Sequence, residues 1–294
     1  LPRLARVIAA ACLALLPLTA PVQAAGSCSA VSRLDGMDRL WHAQLAPQPA
    51  PNLPEPPRLF PRSPDPGPIN PGEVRLHFSG HGGVVIIASD GTIAATDYND
   101  IPGITTLVPD VITMNDTLPT QKTDTPDARI PHILQGWPDA QGRPAAHDLH
   151  VGGMLVRNVT TNTRGTAGQG MRVGGNSIFI FETEGLCVAH FGLLQVMPNA
   201  DQLARIGRLD VAIIAVEGPN LLPTDQMIAL LRHLQVRVVI PVHWNTYETL
   251  AQVMAQFERE FPVVLTSSPQ IDLSAAILPG EMTVMVLTPR YFPF

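Results

Sequence analysis

Asp110-Val-Ile-Thr-Met-Asn-Asp-Thr-Leu-Pro-Thr-Gln121 is the stretch on which the reading of this chain turns. Its first six residues, Asp110 to Asn115, read as a short buried strand. The polar, proline-bearing residues that follow leave the strand's carboxyl end, which is where open α/β sheets place their ligands. The carboxyl end of such a strand is a place for chemistry.

Upstream, Val74 to Ser79 and Gly83 to Ser89 are apolar, β-branched runs separated by Gly80-His81-Gly82, and Asp90-Gly91 turns the chain into Thr92 to Thr96. Hairpin residues between β-branched runs predict antiparallel strands. Downstream, Lys122 to Gly136 reads as a polar surface loop, and His150 to Val159 as a strand. Asn176 to Glu182, turning at Glu184-Gly185 into Leu186 to His190, predicts a second hairpin. From Asn199 the pattern changes. Capping-box spacings at Asn199/Gln202 and Asn245/Glu248, with Thr224 as a further N-cap, predict three helices. Apolar stripes at Met227, Leu230, Leu231, Leu234 and at Leu250, Val253, Met254, Phe257 support two of them. Between them lie the buried-strand runs Asp210 to Val216 and Val236 to Val242, and Val263 to Leu265 and Met282 to Thr288 close the series. Strands followed by a β-α-β-α series predict sheets covered by helices.

Several of these segments together resemble the metallo-β-lactamase fold. Ser79-Gly-His81-Gly-Gly-Val-Val-Ile-Ile87 is similar to the Gly-His-x-x-Phe-Leu-Ile segment of its L-ascorbate-6-phosphate lactonase-like branch, and Asp97 falls at that branch's Asp-Pro turn. Gly185-Leu-Cys-Val-Ala-His190-Phe-Gly192-Leu193 resembles the family's Ile-x-His-x-Gly-Asp-Leu segment. Ile240-Pro-Val-His243-Trp244 resembles its Ile-Pro-Met-His-Tyr. The resemblance covers residues 74 to 288 and implies an α/β (α+β) αββα sandwich, two mixed sheets flanked by helices. It also implies a site with two divalent metals, usually zinc, that lower the pKa of a shared water.

The metal signature itself departs from the family. The His-x-His-x-Asp-His positions fall on Asp116, Leu118, Thr120 and Gln121, Leu193 stands where relatives have a ligand, and no histidine occurs in Thr160 to Gly165. His243 takes the place of the last metal histidine. The pocket candidates are His81, Asp97, Asp116, His190, Glu217 and His243, at strand ends on one face. Zinc sites use at least three protein ligands, so the expected cofactor is none, or one divalent metal, zinc if any, on His243, Asp116 and His190. His147, His150 and His233 read as surface residues. No Gly-x-Ser-x-Gly elbow or phosphate-binding glycine loop is present.

Residues 1–24 resemble a secretory signal: Arg3 and Arg6, an apolar run from Val7 to Leu18, and a Val22-Gln23-Ala24 cleavage site. That predicts a periplasmic or secreted protein with no transmembrane span in the mature chain. Residues 25–73 form a lead-in and proline-rich linker, and residues 74–294 the domain. Cys28 and Cys187 could pair in an oxidising compartment, Cys187 could instead be a buried apolar residue, and Cys28 could carry a lipid. A net charge of -6 without a basic run disfavours nucleic acid and anionic membrane as partners. With 45% hydrophobic and 15% charged residues, the composition is that of a packed globular domain.

Two functions follow from the resemblance. One is a homologue that binds a small molecule or protein partner in the old cleft without hydrolysing it. The other is a working ester, lactone or phosphoester hydrolase with a rearranged mononuclear site. A structural subunit of a periplasmic assembly is a third class.

Overall fold

A computed structural model describes Cys28 and residues 67–99, 108–165 and 170–289. The signal-like segment, Trp41 and His42, and most of the proline-rich linker lie outside the described residues, as does Asp100.

The chain builds two mixed sheets. The six-stranded sheet contains β1 (Val74–Gly80), β2 (Gly83–Ala88), β3 (Ile93–Ala95), β4 (Val111–Met114), β5 (His132–Gln135) and β13 (Gln270–Leu273), in the order β13-β1-β2-β3-β4-β5. The eight-stranded sheet contains β6 (Asp148–Val151), β7 (Met154–Arg164), β8 (Met171–Thr183), β9 (Leu186–His190), β10 (Val211–Ala215), β11 (Val238–Val242), β12 (Val263–Leu265) and β14 (Thr283–Val286). Its order is β12-β14-β11-β10-β9-β8-β7-β6. Helices α1 (Ala200–Ile206), α2 (Thr224–His233) and α3 (Tyr247–Phe257) complete the set among the described residues. None of these helices is long and apolar enough to cross a membrane.

Alternation along the strands sets the layers. Val84, Ile86 and Ala88 of β2 face Phe179 and Phe181 of β8 in a core between the sheets, together with Val211, Ile213, Val238 and Ile240. The opposite side of β8, Ile178 and Ile180, meets Ile206, Met227, Leu231, Leu250, Met254 and Phe257 of the helices. All three helices therefore cover the eight-stranded sheet. The outer face of the other sheet, Val85, Ile87, Ile93 and Ile112, is closed by Tyr98 and Ile130, with Ile69, Val108 and Trp137 against them.

Several local readings are corrected. The loop assigned to Lys122–Gly136 contains β5, which pairs in parallel with β4, and the strand assigned to His150–Val159 is two strands joined at Gly152-Gly153. β13 went unread. The Asn199–Gln202 capping box forms, but Pro223 rather than Thr224 stands at the N-cap position of α2, without a side-chain cap, and Thr246 rather than Asn245 caps α3. Asn245 is diverted because its N–H and side-chain amide both bond Glu217.

Pro241 sits inside a central strand without breaking the sheet. β14 pairs only with Val238 and Val239, so the missing N–H of Pro241 falls past that ladder.

Cys28 is disulfide-bonded to Cys187 of β9, their Cα atoms 5.7 Å apart. The seat is built around it. Its N–H donates to Glu182 at 3.2 Å, its carbonyl accepts from Arg157 at 3.4 Å, and Arg157 and Glu182 pair at 2.6 Å. Of the alternatives open for Cys187, the cross-link is the one the fold adopts.

Candidate functional site

The carboxyl ends of β3, β4, β9, β10 and β11 deliver Asp97, Asn115, His190, Glu217 and His243 to one edge, where the β1–β2 turn adds His81. Parallel pairing of β3 with β4 and of β9, β10 and β11 with one another makes those ends coincide. Three of the residues hold left-handed backbone: His81 at φ 51°, Asp97 at φ 43° and His243 at φ 58°. Each such non-glycine position costs roughly 1 kcal/mol or more, and strain of this kind gathers at functional sites.

His81 and His243 form the upper pair. Their ring centroids are 3.9 Å apart, and the His243 amide donates to the His81 carbonyl at 2.5 Å. His81 Nε2 lies 3.1 Å from Thr120 Oγ1. The His243 ring is 3% exposed, and neither Nδ1 nor Nε2 has a hydrogen-bond partner among the described residues. Burial pushes the pKa of both rings below the ordinary histidine value, and for His81 the neighbouring His243 adds to it. Asp97 opposes the shift without reversing it. Both rings are thus neutral at neutral pH.

Asp97 is 2% exposed. One of its oxygens accepts from Gln121 Nε2 at 2.8 Å and the other from Asn115 Nδ2 at 3.4 Å. Gln121 is itself fully buried, turned inward by a short 3-10 turn at Pro119–Gln121, and its Oε1 accepts from the Leu118 N–H. Asn115 also bridges to β8, where its Oδ1 accepts from the Ser177 N–H at 2.8 Å.

His190 Nδ1 accepts from the Gly192 N–H at 3.2 Å, so its proton sits on Nε2, which donates to the Gly82 carbonyl at 2.9 Å. That nitrogen is 3.9 Å from Asp97, and both ring nitrogens are occupied by backbone. Gly192 adopts φ 57°, and a Cβ there would collide with Asn176 Oδ1 and Asn115 Nδ2. Leu193 is fully buried.

Asp116 does not join this group. It pairs with Lys122 at 2.6 Å and Arg172 at 2.9 Å. Burial raises its pKa, but the hydrogen bonds and charges of those two cations outweigh that and lower it. Glu217 stands at the rim, its pKa lowered by the N–H and amide of Asn245. His147 is half-buried and lies 2.8 Å from the Gln135 carbonyl, whereas His150 and His233 are exposed.

Of the six pocket candidates read from the sequence, the structure brings His81, Asp97, His190, Glu217 and His243 to one edge and leaves Asp116 with its two cations. Sequence reasoning missed Asn115, Thr120 and Gln121. The available signal was that Thr120 and Gln121 occupy signature positions with neutral hydrogen-bonding groups.

The β-lactamase superfamily domain model matches residues 75–243, and the chain belongs to that superfamily. A metal-dependent hydrolase of Methanoregula boonei is 25% identical over 147 residues, 48% of this chain and 63% of that protein. A second, from Natranaerobius thermophilus, is 23% identical over 117 residues, 39% of this chain and 53% of that protein. The chain thus spans less than two thirds of these curated relatives. A metallo-β-lactamase-superfamily protein of Thermotoga maritima, named for zinc-dependent hydrolysis, superimposes with a TM-score of 0.51 at 19% identity. It covers 73% of this chain and 98% of its own length, a likeness of fold.

The donor atoms here do not fit the metal centre for which those relatives are named. Among the described residues no group of three or more His, Cys, Asp or Glu side chains converges as a ligand set would. His190 has no free ring nitrogen, and Asp97 carries two amide donors. Asp116 faces its two cations.

Proposed function

We propose that this chain is an exported member of the β-lactamase superfamily that binds a small ligand in the family cleft without metal-dependent hydrolysis. The observation that carries the reading is the hold on Asp97: amide nitrogens of Gln121 and Asn115 stand where a cation would be needed to satisfy a buried carboxylate. Each amide satisfies an oxygen by hydrogen bonding and supplies no Lewis acid. A ligand, rather than an empty core, is supported by His243, whose two buried ring nitrogens lack partners among the described residues. Leaving such atoms unmade costs about 1–3 kcal/mol each, so a bound group that supplies them is favoured. The mononuclear alternative on His243, Asp116 and His190 draws no support from the geometry, because Asp116 and His190 are both engaged elsewhere.

Export is supported by the signal-like opening and by the Cys28–Cys187 cross-link, since disulfides persist in oxidising compartments.

The test is elemental analysis of the purified, disulfide-intact protein after zinc or manganese loading, with lactone, ester and phosphodiester substrates assayed alongside. The expected result is far less than one metal per chain and no turnover. One equivalent of metal together with hydrolysis that His243→Ala abolishes would overturn the proposal.

A further inference from the structure

The rewired strand-end edge is electrically lopsided. Asp97 is buried on neutral partners, Gln121 and Asn115, and Glu217 is held by the neutral Asn245. His190 spends both ring nitrogens on backbone, on the Gly192 N–H and the Gly82 carbonyl. Lys122 and Arg172, the basic side chains flanking the 115–121 loop, both pair with Asp116. Two carboxylates therefore face the histidine pair with no countercharge among the described residues that line the edge.

At the same edge, the buried His243 ring presents one acceptor nitrogen and one N–H with nothing to meet them among the described residues. Just past it in the chain, Trp244 packs tilted against Tyr247 with ring centroids 5.2 Å apart, and Tyr247 is 72% exposed, which leaves an aromatic ring open to solvent. Acceptor nitrogen, uncompensated carboxylates and an open aromatic ring are the groups that recognise an N–H cation.

We propose that the ligand of this cleft is an organic cation, a primary ammonium or guanidinium group that donates to His243 and is drawn in by Asp97 and Glu217. This rests on the reading of the cleft as a metal-free binding site. It assigns the opposite charge preference from a metal centre, whose cations draw in anionic groups. A carboxylate or phosphate ligand would meet two like charges and no cation in a partly desolvated edge, and is rejected by Coulomb repulsion.

The experiment is titration calorimetry and thermal shift on the disulfide-intact protein at about pH 8, where the histidines are neutral. Putrescine and agmatine are compared with succinate and butanediol, their anionic and neutral counterparts of similar length. One equivalent of either amine should bind and raise Tm, with affinity falling as salt rises. Glu217→Gln, at the rim, should weaken it by about tenfold or more, and so should Asp97→Asn if that variant folds. The proposal is overturned if neither amine binds, if succinate binds as tightly, or if Glu217→Gln leaves amine affinity unchanged. Zinc uptake at one equivalent with hydrolysis would overturn the metal-free reading beneath it. Absence of amine binding in a metal-free, inactive protein would overturn the ligand class alone.

Discussion

The backbone amide of His243 donates to the carbonyl of His81 at 2.5 Å, and the two imidazoles sit tilted against each other with centroids 3.9 Å apart. A single hydrogen bond thus ties the end of β11 in one sheet to the β1–β2 turn in the other.

That contact makes the fold sensitive to mild acid. Burial lowers the pKa of both rings, so on acidification the unfolded chain takes up protons before the folded one does. Stability from this pair is fully present above the unfolded histidine value of about 6.5 and is lost as the pH falls below it toward the folded values. Urea midpoints measured between about pH 7.5 and pH 5 should fall steadily, and His243→Asn should flatten that slope. The Asp116 contribution, with its lowered carboxyl, goes only at lower pH, below about 4. A midpoint indifferent to pH across the histidine range would refute the assignment of neutral buried rings.

The amide grip on Asp97 has its own signature. Gln121→Glu keeps the shape of the side chain but sets a carboxylate against the buried carboxylate of Asp97, 2.8 Å from the present amide. The variant should lose about 2–4 kcal/mol at neutral pH and recover part of it on acidification, as one of the two groups takes a proton. Gln121→Ala, which only removes the donor, should lose about 1–3 kcal/mol without that recovery. Equal losses at both pH values for the two variants would mean that Asp97 does not depend on this amide.

Much of this was legible in the chain. β-branched runs bounded by turn residues marked β1, β2, β8 and β9, and the Asn199–Gln202 box marked α1, because each rests on local chemistry. β5 and β13 escaped notice because both are edge strands with only one buried residue each, which leaves little hydrophobic pattern to read. The site was half-legible for a related reason. Strand ends announce His81 and His243, but spacing alone cannot tell that the 3-10 turn carries Gln121 inward while Asp116, five residues before it, turns toward Lys122 and Arg172. Nor can it tell that Glu217 draws Asn245 away from capping α3. These choices are made by partners distant in sequence.

The Cys28–Cys187 cross-link closes 159 residues of chain. Restricting the unfolded state over so long a loop is worth about 5 kcal/mol in the chain-entropy account, with about 2–5 kcal/mol the usual measured range. Cys187→Ala should therefore lower the urea midpoint sharply, and addition of a reductant should destabilise the parent protein but not the variant. Peptide mapping without reduction should recover residue 28 linked to residue 187. If the parent and Cys187→Ala unfold alike under non-reducing conditions, the bond is absent or without consequence.

Gly192 offers the most stringent test of the hydrogen-bond cage around the site. Its φ of 57° is one that side chains resist, and a Cβ there would strike the side chains of both Asn176 and Asn115, which are completely buried. Neither amide can retreat freely: Asn176 Oδ1 accepts from the Leu193 N–H at 3.1 Å, and Asn115 holds Ser177 and Asp97. Gly192→Ala combines backbone strain of about 1 kcal/mol or more with overpacking of about 1–3 kcal/mol, for a total of roughly 2–4 kcal/mol. Because the displaced Asn115 also supports Asp97, the same variant should weaken ligand binding in the cleft even at temperatures where it remains folded. Gly185, at φ 76° with open space around its Cβ direction, is the control. Gly185→Ala carries the strain without the collision, and should lose only the first part and leave binding intact. Matching losses for the two variants would show that the cage around Asn115 and Asn176 is looser than this geometry requires.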